Sequence, residues 1–378
     1  MESENVKSSQ IKSKKAFNLP KPDEIKEFLD RYVIGQEESK KVLSVAVYNH
    51  YKKIQYKIDA TNTLEMDKSN IILLGSTGCG KTLLVKTIAK MLDVPCYIQD
   101  CTKITASGYV GSDVEDCLAG LLRSCNYNIK AAEFGIVMLD EGDKIAKKEI
   151  GPSLTRDVSG ECVQQSLLKI VEGDIVGVPP AGGRKHPEQP LIYVNTKNIL
   201  FILSGAFVGL DDIITKRLDG GSKIGFNRDN EVRNNVEVPE KYAVPQDLRE
   251  FGFIPEFIGR FPIITNVNPL SEDDLITILS EPKNALIKQH TELMKIDKVD
   301  LEFSDSALRE IAKLAITLET GARGLRSILE TIMTDVMYEY PKKAANSRRR
   351  VKLVIDDKFV IEKTASKYKN LNLISKAC

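Results

Sequence analysis

The sequence lacks the long apolar segments that mark membrane-spanning and secreted proteins. None of its apolar runs is long enough to cross a bilayer, and residues 1–15 contain no hydrophobic segment of the kind found in secretory signals. We therefore expect no membrane partner and a cytoplasmic protein of bacterial type, with the matrix of an organelle left open as an alternative.

Metal-binding residues are also scarce. The seven cysteines form no Cys-x-x-Cys pair, and the three histidines lie far apart in the sequence. Scattered cysteines in odd number are typical of reduced thiols in a reducing compartment, whereas zinc sites need clustered ligands. We therefore predict no zinc site.

Neither sign of charge is in excess. Lys and Arg total 54 against 53 for Asp and Glu. This balance gives no overall basic field, so we expect no nucleic-acid partner. The length and ordinary composition suggest a globular protein of roughly two to three domains.

What the sequence does contain is a complete phosphate-binding loop, GSTGCGKT at residues 75–82. An apolar run precedes it and a helical pattern follows it, which is the strand–turn–helix context that this motif requires. Glycines let backbone N–H groups close around phosphates, and the helix begins with its positive dipole end towards them. Lys81 is predicted to reach the terminal phosphates of ATP and Thr82 to bind Mg²⁺. The predicted phosphate-binding residues are Gly75, Ser76, Thr77, Gly78, Cys79, Gly80, Lys81, Thr82 and Leu83.

A second motif adds two carboxylates. An apolar strand predicted at 135–140 ends in Asp140, and Glu141 follows. In phosphate-loop enzymes the Asp holds Mg²⁺, here predicted to act through water, and the Glu orients and deprotonates the attacking water. An acidic pair at a strand end can instead cap a helix, but the phosphate loop upstream favours ATP hydrolysis.

Two arginines are candidates for neutralising phosphate charge. Arg260 ends the string IPEFIGR, and Arg323 lies at a predicted helix start. Phosphoryl transfer needs cations beside the terminal phosphate, and a neighbouring subunit can supply one. From spacing alone, a surface salt bridge is the commoner explanation of either arginine.

Strands and helices alternate through the first two thirds of the chain. This alternation predicts an α/β fold with a parallel sheet covered by helices. Predicted strands lie at 70–75, 96–100, 135–140 and 199–204. Predicted helices lie at 37–53, 81–92, 113–125 and 162–172, and 175–195 and 218–246 are predicted to be loops.

The pattern becomes mainly helical after residue 269. Ser271 and Asp274 resemble a capping box at the start of a helix. Further helices are predicted from about 305 and from 324 to 340, and a short strand at 351–355. We therefore divide the chain into a disordered segment at 1–19, a large α/β domain at 20–268 and a smaller mainly helical domain at 269–378.

Several longer strings resemble the ClpX family of AAA+ protein unfoldases, which feed the ClpP peptidase. The resemblance runs from about residue 20 to about residue 361. Its strings are YVIGQ at 32–36, GYVG at 108–111, TRDVSGE at 155–161, GGRKHP at 182–187, IPEFIGR at 254–260 and GARGLR at 321–326.

The resemblance implies roles for individual residues. Val33 and Ile34 would line the adenine pocket, Arg260 would be the arginine finger, and Arg323 the sensor-2 arginine. The implied substrate-pore residues are Tyr109, Val110, Arg156, Arg184, Lys185 and His186. The implied ClpP-docking tripeptide is Ile224, Gly225 and Phe226.

The residues themselves leave alternatives at these loops. A Tyr between glycines is poor core material, yet Tyr109 can also pack as a turn residue on its own domain. Ile224 and Phe226 form an apolar island in a polar loop, which either docks on a partner or folds back locally. The run at 184–186 alone is typical of a solvated charge cluster.

The sequence departs from the family at several places. The family usually begins with a zinc-binding domain built on paired cysteines, which this sequence does not show. Gly142 stands where the family has a bulky aliphatic residue, and we expect it to loosen the segment that carries Glu141. The stretch SGAF at 204–207 replaces the usual double glycine, which blurs the assignment of the family's sensor-1 residue. Cys79 and Cys162 lie in functional loops, so we expect thiol modification to inhibit.

Together these features predict an AAA+ ATPase that works as a ring with ATP and Mg²⁺, and the resemblance implies a homo-hexamer. The resemblance implies that it unfolds tagged or unfolded proteins and threads them into ClpP. The alternatives are a protein-remodelling chaperone that works without a peptidase and a nucleotide-gated scaffold with little turnover.

Overall fold

The structure is a computed structural model that describes residues 19–58, 64, 66–104, 113–147, 160–180, 190–220, 239–347 and 349–368. The segment 1–18 lies outside the described residues. So do the predicted pore residues Tyr109, Val110, Arg156, Arg184, Lys185 and His186, and the predicted docking residues Ile224, Gly225 and Phe226.

The bounds of the regular elements are as follows. The strands are β1 (Ile71–Leu74), β2 (Cys96–Asp100), β3 (Ile136–Asp140), β4 (Ile175–Val178), β5 (Ile192–Asn195), β6 (Leu200–Gly205), β7 (Ile263–Asn266), β8 (Val299–Phe303) and β9 (Val351–Ile355). The helices are α1 (Pro22–Asp30), α2 (Glu37–Ile58), α3 (Lys81–Leu92), α4 (Asp116–Ser124), α5 (Ile129–Ala132), α6 (Glu161–Glu172), α7 (Leu210–Gly220), α8 (Pro245–Phe251), α9 (Pro255–Gly259), α10 (Glu272–Ser280), α11 (Leu286–Ile296), α12 (Asp305–Thr317), α13 (Ala322–Ala345) and α14 (Asp357–Tyr368).

A five-stranded parallel sheet forms the centre of the first part of the chain, in the order β2-β3-β6-β1-β7. All residues of β1 and β6 are buried, as expected for parallel strands that are covered on both faces. Successive side chains alternate between two cores: Ile72 and Leu74 pack in one cluster, and Ile71 and Leu73 in the other. The carboxyl ends of β1, β3 and β6 therefore meet at one edge of the sheet.

The predicted α/β class is confirmed, and so are the four predicted strands, which appear as β1, β2, β3 and β6. The edge strand β7 was not predicted. The prediction of a loop over 175–195 is wrong at both ends, where β4 and β5 pair in antiparallel fashion with Ile175 opposite Asn195. Ile175 and Tyr193 are exposed while Val178 and Val194 are buried, so the hairpin has two distinct faces.

The predicted loop over 218–246 also needs correction, because α7 continues to Gly220, a 3₁₀ turn spans Pro239–Tyr242 and α8 begins at Pro245. Proline suits the first turn of a helix because that position needs no N–H donor. Pro245 contributed to the prediction of a loop, but it lies at the start of helix α8.

The C-terminal part, residues 270–368, packs around its own apolar cluster. Its first helix, α10, begins with the predicted capping box, since the Asp274 N–H donates to Ser271 Oγ at 3.1 Å and the Ser271 N–H donates to Asp274 Oδ2 at 2.9 Å. Strand β9 has the predicted bounds. Its parallel partner β8 was not predicted, because the alternation of polar and apolar residues at 299–303 is short and follows directly on a helix.

Candidate nucleotide-binding and hydrolysis site

The phosphate loop connects β1 to α3 with three glycines in the left-handed region, at φ 142° for Gly75, 85° for Gly78 and 105° for Gly80. Residues with a side chain rarely adopt these backbone angles, so the loop depends on glycine. Gly75 is further restricted, because a Cβ there would lie 2.4 Å from the carbonyl oxygen of Val267. The loop is thus held against the chain that leaves β7.

Lys81 opens α3 and is 8% exposed. Its Nζ donates to the carbonyl oxygens of Gly75 and Ser76, the latter at 2.8 Å, which places the ammonium inside the curve of the loop. Burial lowers the pKa of Lys81 from its usual value, and the carboxylates of Asp140 and Asp143 partly offset this effect. The lysine is therefore positioned where an anion would be bound.

Cys79 lies on the core side of the loop. It is 3% exposed, and its thiol donates to the carbonyl oxygen of Ser76 at 2.9 Å. Burial raises the pKa of the Cys79 thiol, which disfavours the reactive thiolate. These surroundings disfavour modification of Cys79, and the inhibition expected from such modification stays a prediction.

A cleft of about 450 Å³ opens at this edge of the sheet. It brings together most of the residues predicted to act on a nucleotide. Its lining includes Lys81, Thr82, Asp140, Glu141 and Arg323.

Asp140 ends β3 and directs one carboxylate oxygen into the protein. Its Oδ1 accepts hydrogen bonds from Ser204 Oγ at 2.6 Å and from the Glu141 N–H at 3.1 Å. Glu141 has φ 54° and ψ 36°, a left-handed conformation that is uncommon for residues other than glycine and is often found at functional sites. The Glu141 side chain is exposed at the cleft.

Gly142 does not loosen the segment after Glu141, contrary to our expectation. It is buried in a 3₁₀ turn over Gly142–Ile145, and a Cβ at this position would lie 2.3 Å from Leu203 Cδ1. Leu203 on β6 occupies the space that a larger residue at 142 would need. The absence of a side chain at 142 thus allows close packing.

Asp143 and Gly205 complete the base of the cleft and were not predicted as site residues. Asp143 is 6% exposed, with Oδ1 accepting the Ala206 N–H at 3.3 Å and Oδ2 lying 3.1 Å from Lys144 Nζ. A Cβ at Gly205 would lie 2.3 Å from Asp143 Oδ1. An acidic residue two positions after Glu141 was the available sequence signal.

Arg323 reaches the cleft from the C-terminal part. It lies in the first turn of α13, and the preceding Ala322 N–H donates to the carbonyl oxygen of Gly78 at 3.3 Å. A Cβ at Gly78 would lie 2.7 Å from the carbonyl oxygen of Thr320. The C-terminal part therefore rests directly on the phosphate loop.

Arg260 does not border the cleft. Its side chain is 52% exposed and lies against Glu172, with Nη2 at 2.6 Å and Nε at 2.9 Å from Oε1. Its carbonyl oxygen accepts from Asn70 Nδ2 at 2.8 Å, so the backbone is held while the side chain lies at the surface. In the single chain, Arg260 therefore forms the surface salt bridge that was the alternative explanation. Its role as an arginine finger stays a prediction.

The predicted adenine-pocket residues lie in the sheet-containing part. Val33 is 4% exposed within a core cluster, Ile34 is half-buried, and neither borders the cleft. The nearby Gln36 uses both ends of its amide on Asn268, donating to its carbonyl oxygen and accepting its N–H, each at 2.8 Å. Their adenine-binding role stays a prediction.

The donor set at the cleft suits Mg²⁺. Mg²⁺ prefers oxygen ligands and usually binds through one or two protein groups together with phosphates and water. Thr82 and Asp140 supply such oxygens. Within the described ranges, no group of three or more His, Cys, Asp or Glu could hold a metal ion by itself. Nor does any helix in this part of the chain have the length and apolarity needed to cross a membrane.

Comparison with known families agrees with this geometry. Residues 66–264 match the AAA domain (Cdc48 subfamily), and residues 270–358 match the C-terminal, D2-small domain of ClpB protein. A sequence that combines these matches with a phosphate loop and an acidic pair in one cleft is an ATPase of the AAA+ class.

Curated relatives cover most of the chain. An ATP-dependent Clp protease ATP-binding subunit ClpX from Bacteroides thetaiotaomicron is 53% identical over 342 residues, which is 89% of this chain and 81% of the relative. The ClpX of Bacteroides fragilis is 54% identical over 85% of this chain and 78% of its own length. The ClpX of Porphyromonas gingivalis is 50% identical over 93% and 84%. The chain belongs to the ClpX family of AAA+ ATPases.

Proposed function

We propose that this ATPase unfolds substrate proteins and threads them into a ClpP-type peptidase. The observation that carries the proposal is the cleft itself. Groups for binding and hydrolysing ATP come from the sheet edge, while Arg323 and the contact with Gly78 come from the C-terminal part. A change at the nucleotide is therefore transmitted directly to the position of the C-terminal part.

Each residue of the cleft has a chemical task in this proposal. Lys81 exchanges its carbonyl partners for phosphate oxygens, and Arg323 adds a second cation. Mg²⁺, when bound, neutralises charge on the phosphate oxygens. Glu141 accepts the proton of the attacking water, because its carboxylate is exposed at the cleft beside Asp140.

The proposal includes a ring of six copies. Copies joined by a head-to-tail interface form a closed ring when the rotation from one subunit to the next divides a full turn evenly. Arg260 lies outside its own cleft and is exposed, which suits an arginine that acts on the nucleotide of a neighbouring subunit. An exposed ion pair is worth about 0–1 kcal/mol, so the contact with Glu172 is easily exchanged for a phosphate.

Mechanical work follows from movement between two domains, which we propose to divide near residue 268. Tyr109 would grip the polypeptide in the pore, and repeated pulls can unfold a typical domain, which is stable by about 5–15 kcal/mol. Ile224 and Phe226 would dock on ClpP, and several such loops on one ring would raise affinity by avidity. We propose a bacterial-type cytoplasmic location.

The decisive experiment is degradation of a tagged, folded reporter with the matching ClpP and ATP. The parent protein should degrade the reporter, and deletion of residues 224–226 should stop degradation while ATP hydrolysis and unfolding continue. Tyr109→Ala should keep ATP hydrolysis and lose unfolding. Unfolding without ClpP association by the parent would instead indicate a stand-alone remodelling chaperone.

A scaffold with little turnover is the remaining outcome. It would assemble with ATP but show no steady hydrolysis stimulated by unfolded protein. The close packing of Gly142 against Leu203 removes the structural reason for expecting slow turnover.

A further inference from the structure

Ser204 is a buried hydroxyl at the hydrolysis site with no role in the scheme above. It lies near the carboxyl end of β6, beside the strand that carries Asp140, and is 0% exposed. Its Oγ donates to Asp140 Oδ1 at 2.6 Å, across 64 positions in the sequence. An O–H to carboxylate bond of this length lies in the range of strong, charge-assisted hydrogen bonds.

The bond differs from the local bonds that two helical serine side chains make. Ser124 and Ser166 lie on helices and donate to backbone carbonyl oxygens three and four residues earlier, at 2.7 Å and 2.8 Å. Such local bonds satisfy the hydroxyl without involving any other element. Ser204 instead reaches the terminal residue of the adjacent strand.

The consequence for Asp140 is that its two carboxylate oxygens become inequivalent. Oδ1 accepts from both Ser204 Oγ and the Glu141 N–H. No residue in the described part of the chain donates to Oδ2, and Asp140 borders the cleft. The protein therefore fixes Oδ1 of Asp140 by hydrogen bonds and leaves Oδ2 available to a ligand in the cleft.

The same oxygen also touches the backbone of the catalytic segment. Glu141 adopts its left-handed conformation with its N–H turned onto Asp140 Oδ1, which Ser204 holds from the other side. A rotation of the Asp140 carboxylate would break both contacts together. Ser204 thus fixes the Asp140 carboxylate. Through that carboxylate it also fixes the hydrogen bond from the Glu141 N–H to Asp140 Oδ1.

We propose that Ser204 is a positioning residue that orients Asp140 towards the hydration shell of the nucleotide-bound Mg²⁺. The proposal rests on the proposed function only in that the cleft binds Mg²⁺ and ATP. Residues that orient a metal-holding carboxylate through hydrogen bonds typically contribute 10–100-fold to metal affinity or activity (order of magnitude). Loss of the hydroxyl should therefore appear first as a weaker response to Mg²⁺.

The test measures binding of a fluorescent ATP analogue to the full chain, titrated with Mg²⁺ and repeated in EDTA. Ser204→Ala and Ser204→Cys remove the hydroxyl at nearly constant volume. Both should raise the Mg²⁺ concentration for half-maximal enhancement of binding by about 10–100-fold, with EDTA binding near that of the parent. Ser204→Thr restores a hydroxyl and should recover most of the Mg²⁺ response.

The matched control is Ser44→Ala. Ser44 is 1% exposed, and its Oγ has no hydrogen-bond partner within the described residues, so its removal reports the general effect of losing a buried hydroxyl. A parental Mg²⁺ response in Ser204→Ala and Ser204→Cys would overturn the proposal. So would an equal loss of binding with and without Mg²⁺, which would indicate a collapsed loop. Because the measurement involves neither unfolding nor ClpP, it stands or falls independently of the reporter experiment.

Discussion

Replacing Gly78 by alanine is expected to lift the C-terminal part off the phosphate loop, although Gly78 is not one of the glycines that the phosphate-loop motif requires. Gly78 has φ 85°, and an added Cβ would lie 2.7 Å from the carbonyl oxygen of Thr320. That atom belongs to the backbone, so a side-chain rotation cannot relieve the contact. The Ala322 N–H, which donates to the Gly78 carbonyl oxygen at 3.3 Å, is the bond most directly affected.

The expected cost has two parts. A non-glycine residue in the left-handed region costs about 1–2 kcal/mol. Overpacking typically adds about 1–3 kcal/mol, unless the contact opens locally and gives up the hydrogen bond from the Ala322 N–H to the Gly78 carbonyl oxygen, which is worth about 0.5–1.5 kcal/mol. Local opening is the cheaper response, so the contact at Ala322 should open while both parts stay folded.

Gly209→Ala is the matched control. Gly209 has φ 92°, but an added Cβ would meet nothing within 4 Å, so this variant carries the backbone strain without the clash. Hydrogen–deuterium exchange should show faster exchange of the Ala322 amide in Gly78→Ala and parental exchange in Gly209→Ala. Equal exchange at Ala322 in the two variants would refute the reasoning.

A second readout follows from Arg323, which enters the cleft on the same helix as Ala322. Gly78→Ala should weaken binding of a fluorescent ATP analogue. Because part of that loss runs through Arg323, the losses in Gly78→Ala and Arg323→Ala should not add in the double variant. Full additivity would show that Gly78 affects the loop alone.

Three further predictions concern single groups. Glu141→Gln should keep ATP binding and nearly stop steady hydrolysis, measured by parallel binding and turnover assays; parental turnover would remove Glu141 from the mechanism. Glu172→Gln should free Arg260 and raise ATP turnover by at most about fivefold, since the exposed pair is worth about 0–1 kcal/mol; a fall in turnover would instead mean that Glu172 holds Arg260 in its working position. Burial lowers the pKa of His50 from 6.5 to about 3, so between these values only the unfolded chain takes up the proton, and the free energy of unfolding falls as pH drops below 6.5. This loss amounts to about 1.4 kcal/mol per pH unit. The variant His50→Gln keeps an N–H donor for the Asn198 carbonyl oxygen, and it should reduce the pH dependence of the free energy of unfolding between about pH 6 and 5 in denaturation experiments. An unchanged pH dependence would contradict the lowered pKa of His50.

Local sequence patterns were enough to predict the elements whose information lies within a few residues. The phosphate loop, the apolar strand before it and the capping box of Ser271 with Asp274 all appear where the pattern puts them. Each depends on turn chemistry or on side-chain periodicity, which neighbouring residues determine. The short, partly polar strands β4, β5, β7 and β8 were missed, because their pairing partners stabilise them more than their own residues do.

At the site, the sequence alone determined which residue types are present, and the tertiary structure decided how they are held. Lys81, Asp140 and Arg323 were predicted from motifs or resemblance. Only the packed chain shows that Ser204 holds Asp140 and that Gly142 makes room for Leu203. These contacts join residues that are about sixty positions apart, and no local pattern encodes them, because they depend on how neighbouring strands are arranged in the sheet.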